Sequence, residues 1–483
     1  MIDQSYIDVP WIVPLQPSSA VPAHHDRLAA RWHGAIVLPS GGLVTGSRRT
    51  GMRDSRLGFK LVAALLLVAP AMATGPARHA RAVAANPIDH IVVLMQENRS
   101  SDTYFGRLHF EGQTHSQPEP PGASNPDPTN PDGPPVHVFH KTHYCEVQDL
   151  DHSWNGTHEE IDGGAMDGFT TANAVPKDPT GSRSMGFYDD SDLPFYYALY
   201  NTFAIGDRYF ASAPTQTFPN RFYLLAGTSF GHIRNDFPTT LTGFDQPTIF
   251  NELDAAGVSW KIYSASYPLA FAELFGYVRN LRFANIRPIS QYFNDAAHGL
   301  LPQVTFIDPL FLGPTNVEND EHPNSNVQVG QKFVSNVVDA LFTSPDWSSS
   351  ALFLTYDEHG GFFDHVVPPP AIPPDGIAPM LRPGDVPGGF DMYGVRVPAV
   401  VVSPFSRPHA VSHVVNDHTS ILRFIETRFN LPALTRRDAA ANPMLEFFDF
   451  SQPSFATPPS LPGATINPAE VAYCSNQPPN TFP

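Results

Sequence analysis

Two polar clusters each follow a short apolar run that reads as a buried strand. Glu97-Asn98-Arg99-Ser100-Ser101-Asp102 comes directly after Ile88 to Met95, and Asp357-Glu358-His359-Gly360-Gly361 directly after Ala351 to Tyr356. Open α/β sheets bind ligands beyond the carboxyl ends of their strands, so the two clusters can meet in one crevice. The residues nearest the strand ends, Glu97, Asp357 and Glu358, offer three carboxylates, and Asn98 offers an amide oxygen. Carboxylates forced that close repel unless a cation lies between them. An all-oxygen set suits one hard divalent ion, of the Ca or Mg type, better than a soft one. Either cluster taken alone reads equally well as strand-end capping.

A third cluster, Thr215-Gln216-Thr217-Phe218-Pro219-Asn220-Arg221, leads into the apolar stretch Phe222 to Ala226. Pro219 suits the first turn of a helix, which places Thr217 beside the helix N-terminus. Free N–H groups and the helix dipole favour an alkoxide or a phosphate there. A threonine hydroxyl is a feeble nucleophile unless a metal or base activates it; without the acid clusters, Thr217 would be an ordinary N-cap. Among 20 histidines, His152 and His322 stand in polar loops beside acids, His359 and His365 follow the second cluster, and His418 opens a helix. Imidazoles in such places suit protonation of a leaving group, although most histidines in a chain this size are structural.

Alternating strands and helices must position these groups. Strand patterns recur at Trp260 to Tyr263, Val304 to Ile307 and Val395 to Val402. Helical patterns cover Leu193 to Phe203, Val329 to Phe342 and His418 to Phe429. That alternation predicts one α/β layered domain over residues 86–450, with Pro/Gly-rich loops at 111–135 and 367–390. A Pro-rich tail over 451–483 is expected to wrap the surface. The 42% hydrophobic content supports a large core, and 51 prolines and 34 glycines fix long shaped loops. A net charge of −18 argues against nucleic-acid binding and against docking on anionic lipid.

The N-terminus reads differently. Arg53, Arg56 and Lys60 precede the apolar block Leu61 to Ala69, and Ala71-Met72-Ala73 follows. Basic flank, short apolar block and small-residue site form the pattern of a secretory signal over residues 52–73. The block is too short to span a bilayer. Residues 1–51 then read as an upstream misread start or a disordered stretch, and the expected location is secreted or periplasmic. The first 81 residues hold nine Lys and Arg and four Asp and Glu, so their removal takes the net charge from −18 to −23. Cys145 and Cys474 can pair after export if geometry allows.

The ordered motifs DHIVVLMQENRSSDTYFG (89–106), DHSWN (151–155), MGFYDDSDLPFYYAL (185–199), TFPNRFYLLAGTS (217–229), NDEHP (319–323), YDEHGGFFDHVVPPP (356–370) and DHTSILRFIE (417–426) resemble a known family. It is the secreted phosphoesterases that unite phosphatidylcholine-type phospholipases C with a branch of acid phosphatases. The resemblance implies an alkaline-phosphatase-like α/β fold, a central mostly parallel sheet with helices on both faces, and one bound metal. It implies Glu97, Asn98, Asp357 and Glu358 as metal ligands, Thr217 as nucleophile and further metal contact, and His322 and His152 as phosphate or leaving-group histidines. Ser101-Asp102-Thr103 departs from the family's more frequent Phe-Asp-His. Longer phospholipase members also carry C-terminal β modules for which the sequence to residue 483 has no room.

The expected activity is therefore metal-dependent phosphoester hydrolysis through a phosphothreonine, on a phospholipid or a small phosphoester. Membrane contact is expected to be transient at most, with Phe362, Phe363 and Pro368-Pro369-Pro370 as the candidate apolar rim. The alternatives are a phosphatase acting on monoesters and a secreted binding protein that keeps the fold without catalysis. A sulfatase would need a Cys/Ser-x-Pro-x-Arg motif at the nucleophile, which is absent from the sequence.

Overall fold

Eight strands form one sheet in the computed structural model, which describes residues 86–311 and 313–478. In chain order they are β1 (His90–Gln96), β2 (Ala204–Gly206), β3 (Trp260–Ser264), β4 (Ile286–Pro288), β5 (Val304–Asp308), β6 (Ser350–Tyr356), β7 (Ala399–Val402) and β8 (Val411–Ser412). Their order across the sheet is β8-β2-β7-β6-β1-β5-β3-β4. All neighbours are parallel except β7, which runs antiparallel to both β6 and β2. The principal helices are α1 (Trp154–Ile161), α2 (Pro194–Thr202), α3 (Thr217–Ala226), α4 (Ile289–His298), α5 (Val327–Phe342), α6 (His418–Phe429) and α7 (Pro468–Cys474). The expected export signal at 52–73 and the segment 1–51 lie outside the described residues.

The central strands are β-branched and apolar on consecutive residues, so both faces of the sheet must be covered. Every residue of β6, and all of β1 after His90, is buried. Phe353 of β6 packs on Phe424 of α6 with ring centroids 4.9 Å apart. Each fully buried Leu or Val here is worth about 1.5–3 kcal/mol relative to exposure. β1 pairs with β6 in a register that sets Gln96 opposite Tyr356. Two parallel strands thus end at one level, and the residues that follow them, Glu97 and Asp357, emerge side by side.

One strand is shorter than the sequence suggests. Only Ala399–Val402 of the expected run Val395 to Val402 joins the sheet. Pro398 lacks the N–H a ladder needs, and residues before it turn to a loop instead, with Val397 N–H donating to the Tyr209 carbonyl at 2.9 Å.

The tail does more than wrap the surface. Asn467 caps α7, whose last residue, Cys474, forms a disulfide with Cys145 across 329 residues of sequence. The Thr315 hydroxyl donates to the Cys474 carbonyl at 2.6 Å, and the Asn467 N–H donates to Gln328 Oε1 at 2.8 Å. No helix among the described residues is long and apolar enough to cross a membrane. Cross-linking so long a loop restricts the unfolded chain. Cys474→Ser is expected to cost about 2–5 kcal/mol, read as a lower denaturant midpoint under non-reducing conditions; an unchanged midpoint would leave the bond without a stabilising role.

Candidate active site

The turn after β1 and the turn after β6 are stitched into one unit. Asn98 takes a left-handed backbone, φ 60°, and its N–H donates to Asp357 Oδ1 at 3.0 Å. The Glu358 N–H donates to the same oxygen at 2.7 Å, and the Arg99 N–H donates to the Glu358 carbonyl at 3.0 Å. Gly360, φ +64°, closes the unit: a Cβ there would lie 2.4 Å from the Asn98 carbonyl oxygen, so only glycine fits. A non-glycine residue held at positive φ in a sheet-end crevice is the kind of strain that clusters at working sites.

Helix α3 is bound to this unit through Arg221. Its guanidinium lies 3.2 Å from Glu97 Oε1 and 3.3 Å from Asp357 Oδ2, and it donates to the carbonyls of Met95 at 3.2 Å and Gln96 at 3.3 Å. Thr217 stands four residues earlier, on the same face of α3 one turn nearer its N-terminus. The Thr215 hydroxyl is committed to the Ile233 carbonyl at 2.6 Å, whereas Thr217 lines a cavity of about 690 Å3 together with Glu97, Glu318, Asp320 and His322.

A fourth segment closes the polar wall. Glu321 is fully buried at φ 73°, and its carboxylate accepts from the hydroxyls of Tyr104 (2.6 Å), Tyr356 (2.9 Å) and Tyr196, and from Gln96 Nε2 (3.1 Å). The Glu97 N–H donates to the Asp320 carbonyl at 2.8 Å. Anchored this way, the segment sets Asp320 and His322, which flank Glu321, against the cavity.

Burial governs the charges. It holds the Glu97 carboxyl well above the usual range despite the Arg221 guanidinium, and Asp357 adds to the rise. Asp320 is pushed well up by burial and by Glu318. Asp357, buried but faced by Arg221, rises to about 6. Burial disfavours charge on His152, but the carboxylates of Glu358 and Asp149 outweigh it and push the imidazole up to about 10. His359 rises to about 9 despite burial because Glu160 accepts from it at 2.6 Å. Glu358, flanked by both histidines, is held below its ordinary value.

The donor set can be tested against a cation directly. Asn98 Oδ1 and Glu358 Oε1 are buried and accept no hydrogen bond. Leaving such oxygens unmet costs about 1–3 kcal/mol each, and a hard cation is the partner that would remove the cost. Glu97 and Asp357 add carboxylates within reach of the same guanidinium. These residues fit a divalent ion. Asp149, His152 and His322 form a second donor group, with ligand atoms within 4.8 Å of one another.

All seven residues singled out from sequence fall in this region. Glu97, Asn98, Asp357, Glu358 and His152 are linked by contacts, with His152 Nε2 3.9 Å from Glu358 Oε1, while Thr217 and His322 share the cavity with Glu97. Sequence reasoning missed Arg221, Glu318, Asp320 and Glu321 as parts of the site, although each stands in or beside a quoted motif. One expectation is corrected. Phe362 and Phe363 form no apolar rim, being 0% and 5% exposed. Phe362 lies under the Arg99 guanidinium, 4.6 Å from its ring centroid, and Phe363 packs on Phe169 at 5.3 Å. The departure at Ser101-Asp102-Thr103 falls in a buried short helix, where Asp102 pairs with Arg396 at 2.7 Å and His365 at 2.6 Å.

The model of the Phosphoesterase family matches residues 88–432. A non-specific phospholipase C of Arabidopsis thaliana is 34% identical over 412 residues, spanning 79% of this chain and 75% of the relative. Phospholipase C B of Mycobacterium tuberculosis is 35% identical over 434 residues, 79% of this chain and 81% of the relative. Among solved structures, human ectonucleotide pyrophosphatase / phosphodiesterase 5 aligns over 50% of this chain and 90% of that one, at 11% identity and a TM-score of 0.30.

Arg221→Met leaves Glu97 and Asp357 side by side without their cation, at an expected cost of about 3–5 kcal/mol near pH 8. Both carboxyls already titrate above their unfolded values and would move further up. The folded state then holds protons that the unfolded state releases, and stability is lost as pH rises through about 6 and beyond. Denaturation of the metal-free variant should show a smaller penalty at pH 5 than at pH 8; equal penalties would refute the pairing.

Proposed function

The chain belongs to the Phosphoesterase family and is a hydrolase of phosphoester bonds, and from that premise we propose that it is a metal-dependent phosphodiesterase of the phospholipase C type with Thr217 as nucleophile. The observation that carries this reading is a cavity that Thr217 lines with Glu97, Asp320 and His322 and with the apolar Phe218, Phe271 and Phe311, while Arg221 joins Glu97 to Asp357 beside the unpartnered oxygens of Asn98 and Glu358. A diester with one apolar and one polar substituent matches such a cavity better than a small monoester does. The names of the relatives support a phospholipid substrate.

Glu97, Asn98, Asp357 and Glu358 would hold one divalent ion, with Thr217 beside it; when bound, the ion supplies Lewis-acid charge at a phosphoryl oxygen and at the threonine oxygen. The chain's own residues do the rest. Thr217, fixed at the start of α3 and having given its hydroxyl proton to solvent, attacks phosphorus in line as the alkoxide, and the bond to the leaving alcohol breaks. His322, or His152 behind it, passes a proton to that alcohol; the carboxylates that raise His152 to about 10 keep it protonated at neutral pH. Water then attacks the phosphothreonine, the histidine takes a proton back from that water, and the bond from phosphorus to Thr217 breaks to return the alkoxide. Arg221 holds Glu97 and Asp357 in place and adds positive charge to the polar wall.

The same reading places residues 52–73 as an export signal and 86–450 as the catalytic part. The bond between Cys145 and Cys474 supports an oxidising destination.

Thr217→Ala should lower turnover of a soluble diester at least about 10^3-fold while calorimetry shows binding of the divalent ion largely retained; retained turnover removes the nucleophile assignment. Ion binding should also release protons, because Glu97 and Asp357 must ionise to ligate. Release is expected to be larger near pH 6 than near pH 8, and apparent affinity should climb between them. Calorimetry in buffers of different ionisation enthalpy measures it, and pH-independent binding would exclude these two ligands.

A further inference from the structure

Beside the mouth of the cavity, folding leaves a cluster of apolar side chains in water. Phe237 is 52% exposed, Leu241 91% and Leu269 67%, and all three line the cavity together with Arg279. A single exposed leucine needs no explanation, but a cluster at the entrance to an active site marks a contact surface. Two loops are bound into one lip here. The Phe244 N–H donates to the Leu274 carbonyl at 2.7 Å, the Gly276 N–H to the Phe244 carbonyl at 2.8 Å, and Asn280 Nδ2 to the Thr242 carbonyl at 2.7 Å. The loops meet so closely that a Cβ on Gly243 would lie 2.8 Å from the Gly276 nitrogen. Such cross-bonding holds the apolar side chains out instead of letting them fold back.

The sequence of the second loop continues the pattern. Leu281 and Phe283 are 63% and 42% exposed and alternate with Arg279 and Arg282. Of the basic residues here, Lys261 is paired with Asp295 and Arg282 with Asp254, which leaves Arg279 as the arginine that lines the cavity beside these apolar side chains. Apolar side chains interleaved with arginine are the composition that settles at a lipid–water boundary.

We propose that this lip docks on the surface of a zwitterionic phospholipid bilayer. Phe237, Leu241 and Leu269 enter the boundary between headgroups and acyl chains, Arg279 meets lipid phosphate, and a lipid passes from the bilayer into the cavity. Charge selects the surface: the acidic chain is repelled by anionic lipid, whereas a neutral bilayer still offers phosphate oxygens to the lip. The proposal rests on the phosphodiesterase reading and adds where the substrate is taken from. It also moves the apolar rim from the buried Phe362 and Phe363 to the exposed Phe237, Leu241 and Leu269.

The test uses the full chain with Leu241→Asp and Leu269→Asp combined, both at exposed positions. Wild type should co-sediment with phosphatidylcholine vesicles, and less so when phosphatidylserine is mixed in. The double variant should partition at least about tenfold more weakly and lose vesicle hydrolysis in step, a loss several times larger than its loss on water-soluble p-nitrophenyl phosphocholine. Equal sedimentation of variant and wild type, absence of wild-type sedimentation, or equal losses on both substrates would overturn the proposal. So would light scattering that shows a wild-type dimer which the variant dissociates, since the lip would then cover a second copy. A wild type that sediments yet cleaves neither substrate would support the docking surface and sink the phosphodiesterase reading alone.

Discussion

Carboxylates buried against one another at the ends of two parallel strands are the constraint to which the rest of the molecule answers. Register between β1 and β6 makes the crowding unavoidable, because Gln96 and Tyr356 finish level and Glu97 and Asp357 follow at once. Water is excluded, so the repulsion is not screened. Relief comes from several directions. Arg221 reaches in from α3, His152 and His359 stand protonated against Glu358, and protons remain on groups that burial has pushed upward. Arg221 and His152 arrive on separate segments, which are thereby drawn to the turn that carries Glu358 and His359.

Glu321 plays a complementary part. Its carboxylate is also buried, but three tyrosine hydroxyls and an amide satisfy it. Gly330 leaves the room it needs, since a Cβ there would lie 2.1 Å from Glu321 Cγ. One acid is therefore saturated and serves as an anchor, while Glu358 and Asn98, a few residues from it in the folded chain, keep oxygens unmet. That contrast between satisfied and unsatisfied buried oxygens separates scaffold from working groups better than residue type does.

Much of this was legible in the sequence. Buried strands such as Ile88 to Met95 announce themselves by unbroken β-branched runs, and His418–Phe429 by helical periodicity with Asp417 before it. Acids placed straight after such strands pointed to a crevice, because strand ends converge in any parallel sheet. Partners that depend on long-range pairing were not legible. Arg221 looks like an ordinary helix residue until α3 is laid against the sheet. Phe362 looks like rim until Arg99 is seen stacked on it, and Phe237, Leu241 and Leu269 carry no periodic signal because loops impose none. Pro398 shortened a strand that apolar content alone extended. The disulfide could be suspected from two cysteines but not asserted, since sequence is silent on the distance between them.

Helix α3 sets Thr217 and Arg221 on one rigid rod, with three residues between the one that carries the hydroxyl and the one that carries the guanidinium. The far end is fixed as well, because Gly227 turns left-handed there and the Thr435 hydroxyl donates to its carbonyl at 3.1 Å. The rod therefore acts as a gauge: it converts a distance along the sequence into an angle about an axis. Inserting a single residue between Thr217 and Arg221 would swing the hydroxyl by about 100°, away from the chamber it now faces, without altering one atom of the acids. Substitutions along the rod are tolerable to the gauge, but insertions and deletions are not, so in this segment spacing is under a stricter constraint than identity.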